Sequence, residues 1–306
     1  MPRENAIEVQ NFTKKFGNFT AVDNISFAVE RGSRFAFLGP NGAGKSTTIN
    51  TLCTVQEKTQ GDLLIHGHDV SRQQDQVRRD IGIVFQESTL DPKLTVEENL
   101  RLHCDFYRVP RSEVQNRIGF VLELVDLLQW RKAPVGSLSG GLKRRAEIAR
   151  GLVHFPKVLF LDEPTTGLDP QTRASVWDYI QRLQQEKDIT LFLTTHYMEE
   201  AEICNQVAII DHGRIVAHDS PANLKHDYTQ TTVHLDVREP DGVRNYLSHA
   251  GISYVEEQGH FSFKAQQVTE SVALISEFKD SIQDLNIQKG TLNDVFLSIT
   301  GKEIRV

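Results

Sequence analysis

The sequence predicts an α/β fold in which a mainly parallel sheet is flanked by helices, with antiparallel strands near its start and a small α+β unit at its end. Three observations lead there. Phe35–Leu38 and Val158–Leu161 are apolar runs of strand length without polar alternation, the pattern of strands buried on both faces of a parallel sheet. Segments of helical period such as Ser112–Leu128 recur between such runs. A Gly-rich stretch, Gly39–Thr47, stands where one of the runs gives way to a helix.

Taken in order, Ile7–Thr13 alternates apolar and polar residues as a half-buried strand does, and Ile25, Phe27 and Val29 repeat the pattern before the turn at Arg31-Gly32-Ser33. An aromatic near the connection, whether Phe12, Phe16 or Phe19, could stack on a base or pack in the core. Phe35–Leu38 then runs into Gly39-Pro40-Asn41-Gly42-Ala43-Gly44-Lys45-Ser46-Thr47. Glycines let the backbone wrap closely around phosphate oxygens. The helix that follows offers unpaired N–H groups and the positive end of its dipole. Lys45 adds a cation for the outer phosphates and Ser46 a hydroxyl for Mg²⁺, so the stretch reads as a phosphate-binding loop.

Gly61–Gly67 reads as a strand with turns at both ends, and Ile81–Gln86 as a strand that stops at a polar Gln. Thr95-Val96-Glu97-Glu98 fits a capping box opening a helix. Residues 87–150 thus form a helical block interrupting a strand-rich core. Within it, Leu138-Ser139-Gly140-Gly141-Leu142 leads into an amphipathic helix marked by Ile148, Leu152 and by Ala149, Val153. Ser and Gly at a helix start serve equally as an N-cap or as a second place for an anion. Lys143, Arg144 and Arg145 are expected to form a solvated basic face.

Val158–Leu161 ends in Asp162-Glu163, and parallel sheets carry ligand-handling groups at their carboxyl ends. Asp162 suits Mg²⁺, directly or through water, and Glu163 can orient and partly deprotonate a water. Gly167-Leu168-Asp169-Pro170 turns into a helix carrying Val176 and Ile180, and Ile189–Thr195 is a further buried strand ended by His196, placed to donate to a terminal phosphate. Val207–Ile210 and Gly213–Val216 make a hairpin. Thereafter Thr232–Val237, Ile252–Glu256, His260–Ala265 and Ile282–Ile287 read as strands, with helices at Gly242–His249 and Val268–Phe278. That order is βαββαβ, a ferredoxin-like unit, followed by a helix.

At 306 residues, 39% apolar and 25% charged, the chain is long enough for two domains. A net charge of −7 argues against a broad attraction to nucleic acid. Residues 226–306 hold 7 Lys/Arg against 12 Asp/Glu, leaving 27 against 29 before them, which supports domains of 1–225 and 226–306. No apolar run approaches the ~20 residues of a membrane helix, and Met1–Ala6 lacks the apolar core of a signal peptide, so the chain is expected in the cytoplasm. Cys53, Cys104 and Cys204 are too widely spaced for a disulfide framework or a metal site and read as buried apolar residues.

Over residues 1–225 the chain resembles the nucleotide-binding subunit of ATP-binding cassette transporters, which carry in this order a phosphate loop like Gly39–Thr47, a Gln loop like Gln86, a signature like Leu138–Leu142, an Asp-Glu strand end like Asp162-Glu163, a turn like Leu168-Asp169 and a switch His like His196. The resemblance implies a P-loop NTPase core of RecA-like type with an antiparallel β subdomain and an inserted helical subdomain. It implies ATP and Mg²⁺ as cofactors, Phe16 as the aromatic on adenine, and Gly39, Pro40, Asn41, Gly42, Ala43, Gly44, Lys45, Ser46 and Thr47 around the phosphates. By the same resemblance Ser46, Gln86 and Asp162 hold the metal, and Glu163, His196 and Gln86 arrange hydrolysis. Ser139, Gly140, Gly141 and Asp169 join the nucleotide site of a head-to-tail dimer, where Ser139–Gly141 meet the partner's γ-phosphate. Leu142 departs from the family's usual Gln.

The tail, ending in Thr291–Gly301, resembles the extension on ATPases of type-2 cassette exporters. Together the two resemblances imply an ATPase, peripheral on the cytoplasmic face of the membrane, that drives export through a separate permease without touching nucleic acid. The competing readings are an importer ATPase of the same superfamily, a non-transport cassette ATPase acting on ribosomes or nucleic acid, and a P-loop phosphotransferase.

Overall fold

The computed structural model of the protein describes residues 4–265 and 276–301. They fall into two compact units, one running through His218 and a second beginning at Asp219.

The first unit opens with two long strands, β1 (Asn5–Phe16) and β2 (Phe19–Glu30), paired antiparallel so that Phe16 meets Phe19 across a two-residue turn. β3 (Arg34–Leu38), α1 (Lys45–Leu52), β4 (Gln60–Ile65), β5 (His68–Asp69), α2 (Gln74–Asp80) and β6 (Ile81–Val84) follow. The helices α3 (Val96–Phe106), α4 (Arg111–Leu124) and α5 (Gly140–Leu152) come next. The Thr95 and Glu98 side chains close a capping box at the start of α3. The unit ends with β7 (Val158–Asp162), α6 (Pro170–Lys187), β8 (Thr190–Thr195), α7 (Met198–Glu202), β9 (Gln206–Asp211) and β10 (Arg214–Asp219).

These strands make two sheets. One is antiparallel, in the order β2-β1-β4-β5; the other runs β10-β9-β3-β8-β7-β6, with β9, β3, β8, β7 and β6 parallel. β7 and β8 are buried along their whole length, as strands without polar alternation must be. β2 instead alternates buried and exposed residues over Ile25–Glu30 and turns Phe27 inward. The Phe27 ring stacks on Phe35 at 5.2 Å, Phe35 on Phe192 at 5.2 Å, and Phe160 lies 5.4 Å from Phe192, so one aromatic cluster joins both sheets. Each such ring, fully buried, contributes roughly 1.5–3 kcal/mol.

The register of the parallel sheet decides where the site lies. Leu38 is level with Thr195, Asp162 with Thr194 and Val84 with Leu161. The residues that leave β3, β6, β7 and β8 therefore emerge along one edge of the sheet.

In the second unit, α8 (Pro221–Tyr228) precedes β11 (Thr231–Val237), α9 (Pro240–His249), β12 (Tyr254–Glu257), β13 (His260–Ala265), β14 (Ile282–Gln288) and α10 (Leu292–Thr300). The sheet order is β12-β13-β11-β14, all antiparallel. Alternate residues Val233, Leu235 and Val237 of β11 meet Phe261, Phe263, Val243 and Leu247 in a separate small core. A capping box of Thr291 and Asp294 opens α10. The compact units divide ahead of residue 226, because α8 packs with α10. The helix expected at Val268–Phe278 lies largely outside the described residues.

Candidate nucleotide and catalytic site

β3 is followed by the Gly39–Thr47 loop, whose glycines are required by space as well as by torsion. A side chain at Gly39 would sit 2.3 Å from the Ile210 carbonyl oxygen, so the loop lies against the end of β9. Gly44 has φ +107°, a conformation side chains rarely adopt, and a Cβ there would stand 2.7 Å from the Ala21 carbonyl. Gly44 is also the N-cap of α1 and places no side chain over the first turn, which leaves that end open to an anion.

Lys45 is 4% exposed. Its Nζ donates to the carbonyls of Gly39 at 2.8 Å and Pro40 at 3.2 Å and lies 3.3 Å from Glu163 Oε1. Burial draws its ammonium below the ordinary lysine range, against the pull of Glu163 and Asp162. Beside it the Ser46 hydroxyl donates to Asp162 Oδ1 at 3.2 Å, and Thr194 Oγ1 donates to the same oxygen.

Glu163 follows the end of β7 with φ +46°, in the left-handed region that a β-carbon disfavours. Its backbone N–H donates to the carbonyl and hydroxyl oxygens of Thr194, both at 3.1 Å. Its carboxylate gathers the site. Gln86 Nε2 and Thr166 Oγ1 donate to Oε2 at 3.4 and 3.2 Å, and His196 Nδ1 lies 3.4 Å from that oxygen. A buried cation, a hydroxyl–carboxylate pair, a second carboxylate and two polar side chains thus converge at one edge of the sheet. That arrangement defines a P-loop nucleotide hydrolase.

The chain belongs to the ABC transporter family, whose ATP-binding subunits hydrolyse ATP. The family matches residues 22–166. The chain is 36% identical over 306 residues to the Nod factor export ATP-binding protein I of Ralstonia nicotianae, covering 98% of this chain and 95% of that one. It is 33% identical over 311 residues to the daunorubicin resistance ATP-binding protein DrrA3 of Streptomyces coeruleorubidus, covering 99% and 98%. Among solved structures, cbiO1 from Clostridium perfringens, part of the cbiONQ transporter complex, aligns with TM-score 0.68 and 27% identity over 74% of this chain and 92% of that one. The ATP-binding cassette MJ0796, solved as a dimer bound to ADP and Pi, aligns with TM-score 0.64 and 28% identity over 70% and 98%. The P-loop NTPase fold with mixed α/β sheets, the ATPase activity and the binding of ATP follow from this membership.

Of the residues singled out in the sequence, Lys45, Ser46, Gln86, Asp162, Glu163 and His196 come together in one chain. Phe12 is fully buried and belongs to the core, whereas Phe16 is 46% exposed with Lys14 Nζ 4.7 Å from its ring centre. Ser139 and Asp169 are engaged locally. Ser139 accepts from Leu142 N and caps α5, and Asp169 accepts from Thr172 N and Oγ1 and caps α6, contacts that hold its carboxyl below the usual range.

One expectation is overturned. Arg144 is buried rather than part of a solvated face, whereas Lys143 and Arg145 are half-buried. The signal was present in the spacing: Arg144 lies four and eight residues before Ile148 and Leu152 and so continues their inward stripe. Thr194, Thr166 and Glu147 carry no local sequence signal for the contacts they make. Glu147, fully buried, accepts from Ser88 Oγ, from Thr89 N and Oγ1 and from Leu90 N, and pairs with Arg150 Nε at 3.0 Å.

Proposed function

We propose that this chain is the ATP-hydrolysing subunit that energises export through a separate membrane permease of the type-2 group, working as a head-to-tail pair of identical copies. Among the described residues no helix is long and apolar enough to cross a membrane, so the path for cargo is assigned to the permease. The observation that carries the reading is the Glu163 carboxylate, gathered with Lys45, Gln86 and His196 at one sheet edge. Near full-length likeness to proteins named for Nod factor export and daunorubicin resistance supports the direction of transport.

In this reading Gly39–Thr47 wrap the phosphates, Lys45 turns its cation to the outer ones and Phe16 lies on the adenine. Glu163 takes the proton of the attacking water, while Gln86 and His196 fix that water and the γ-phosphate. The residues present fit a magnesium ion: the Ser46 hydroxyl and Asp162 carboxylate are already side by side, with the Gln86 amide beside Glu163, an all-oxygen donor set suited to a hard cation. Bound there, the ion would neutralise charge on the phosphates. Ser139, Gly140 and Gly141, with Asp169, would complete the pocket of the second copy. The strand order β12-β13-β11-β14, with α9 between β11 and β12, supports a ferredoxin-like reading of the second unit, which begins at Asp219, as an accessory domain.

The test is Glu163→Gln. The variant is expected to bind ATP as the parent does, to lose at least a hundredfold in turnover and to run as a dimer in gel filtration with Mg²⁺ and ATP. Parental turnover would remove Glu163 from the role of base, and a monomer under those conditions would remove the paired site.

A further inference from the structure

The buried guanidinium of Arg144 spends its donors on backbone alone. Nε donates to the Pro164 carbonyl, Nη1 to the Phe85 carbonyl, and Nη2 reaches the carbonyls of Asp162 and Glu163 at 3.4 and 3.2 Å. These acceptors are not scattered. Three are consecutive residues around Glu163, and the fourth immediately precedes Gln86.

In an extended strand successive carbonyls point to opposite sides, so one side chain cannot take three in a row. Here the left-handed turn at Glu163 brings them round to a common side, and a planar fork with five N–H donors fills the concavity. Such a backbone conformation persists only where its surroundings over-determine it. Arg144 supplies that determination from one side and Thr194 from the other. The same helix holds the far side of Gln86 as well, because Glu147, one turn on from Arg144, binds Ser88, Thr89 and Leu90. Burial draws the guanidinium below its ordinary range while Glu147, Asp162 and Glu200 pull the other way, and it remains a cation at neutral pH.

We propose that Arg144 is a positioning residue for ATP hydrolysis, holding the strained backbone at Glu163 and the start of the Gln86 loop in the relative placement that hydrolysis needs. It acts through Glu163 and Gln86 and touches no nucleotide. The inference rests on the reading of Glu163 as the base.

The test compares Arg144→Lys, Arg144→Met and Arg144→Ala with the parent and with Glu163→Gln in the full chain. Readouts are kcat, the Kd for a fluorescent ATP analogue and the thermal midpoint. Arg144→Met is expected to lower kcat at least tenfold with Kd within threefold of the parent. Arg144→Lys, keeping the charge without the fork, should fall between the two. Millimolar guanidinium added to Arg144→Ala should restore part of its kcat without changing Kd. Parental kcat in Arg144→Met overturns the proposal, as does a parallel loss of kcat, ATP affinity and midpoint that neither lysine nor guanidinium repairs. Should Arg144→Met not fold, Arg144→Lys and Arg144→Ala decide on the same criteria. If Glu163→Gln itself turns over at the parental rate, the base assignment has failed; if it is inactive and the Arg144 variants are normal, only the positioning role has.

Discussion

Lys45 shows how much one side chain can be asked to supply. Its ammonium is buried and paired with Glu163 and two loop carbonyls, and a charge-assisted hydrogen bond is worth about 1.5–3 kcal/mol. Lys45→Met should therefore weaken ATP binding by roughly ten- to a hundredfold, at about 1.4 kcal/mol per decade, in an equilibrium titration. Lys45, Ser46, Asp162 and Glu163 were legible in the sequence because each sits at a fixed offset from a local signal, a Gly-rich turn or the end of an apolar strand. Thr194 was not, nor were the backbone partners of Arg144, because those atoms are brought close only by the sheet register, although the spacing of Arg144 to Ile148 and Leu152 marked it as inward-facing.

Among the elements, α5 ties several separate segments together through Arg144, Glu147 and Arg150. Its Glu147 is 1% exposed and accepts from four donors of residues 88–90 as well as from Arg150. Removing a partner from a buried, hydrogen-bonded ion pair costs about 3–5 kcal/mol because the other charge and donors remain. Glu147→Ala is thus expected to lower unfolding free energy by about 3 kcal/mol, measured by urea denaturation, whereas Glu113→Ala, on the exposed face of α4 and paired with Arg117, should change it by under about 1 kcal/mol. The central strands were readable from apolar runs, β1 and β2 from apolar–polar alternation, and α3 from its capping box. The inward placement of Glu147 on α5 was not, since an acid after a basic run at helical spacing is ordinarily part of a solvated face.

At the scale of the molecule, acid stability is set partly by a buried histidine, His154, and a half-buried one, His103, in the first unit. His154 Nε2 donates to the Ile81 carbonyl at 2.8 Å and its ring stacks on Tyr107, with His103 edge-on beside it. Burial lowers His154 to about 4 and His103 to about 3, with the cations of Arg150 and, for His154, Arg117 adding to the effect. An unfolded chain takes up these protons near the ordinary value of about 6.5, whereas the folded one does not until far lower pH. Stability is therefore full above 6.5 and falls as pH drops from there toward 4. His154→Gln should narrow the difference in thermal midpoint between pH 7.5 and pH 5 relative to the parent. An equal difference in both proteins would show that the ring does not govern this range.

α5 is capped by Ser139, which in the proposed pairing would face a neighbour's nucleotide, and one to two turns later it grips its own chain's Glu163 and the loop after Gln86. A lesion at either end of such a rod is felt at both. In assemblies mixing one altered and one intact copy, damage at Ser139 will slow the hydrolytic centre beside it as well as the one across the interface, so neither half of the engine can be credited with its own stroke.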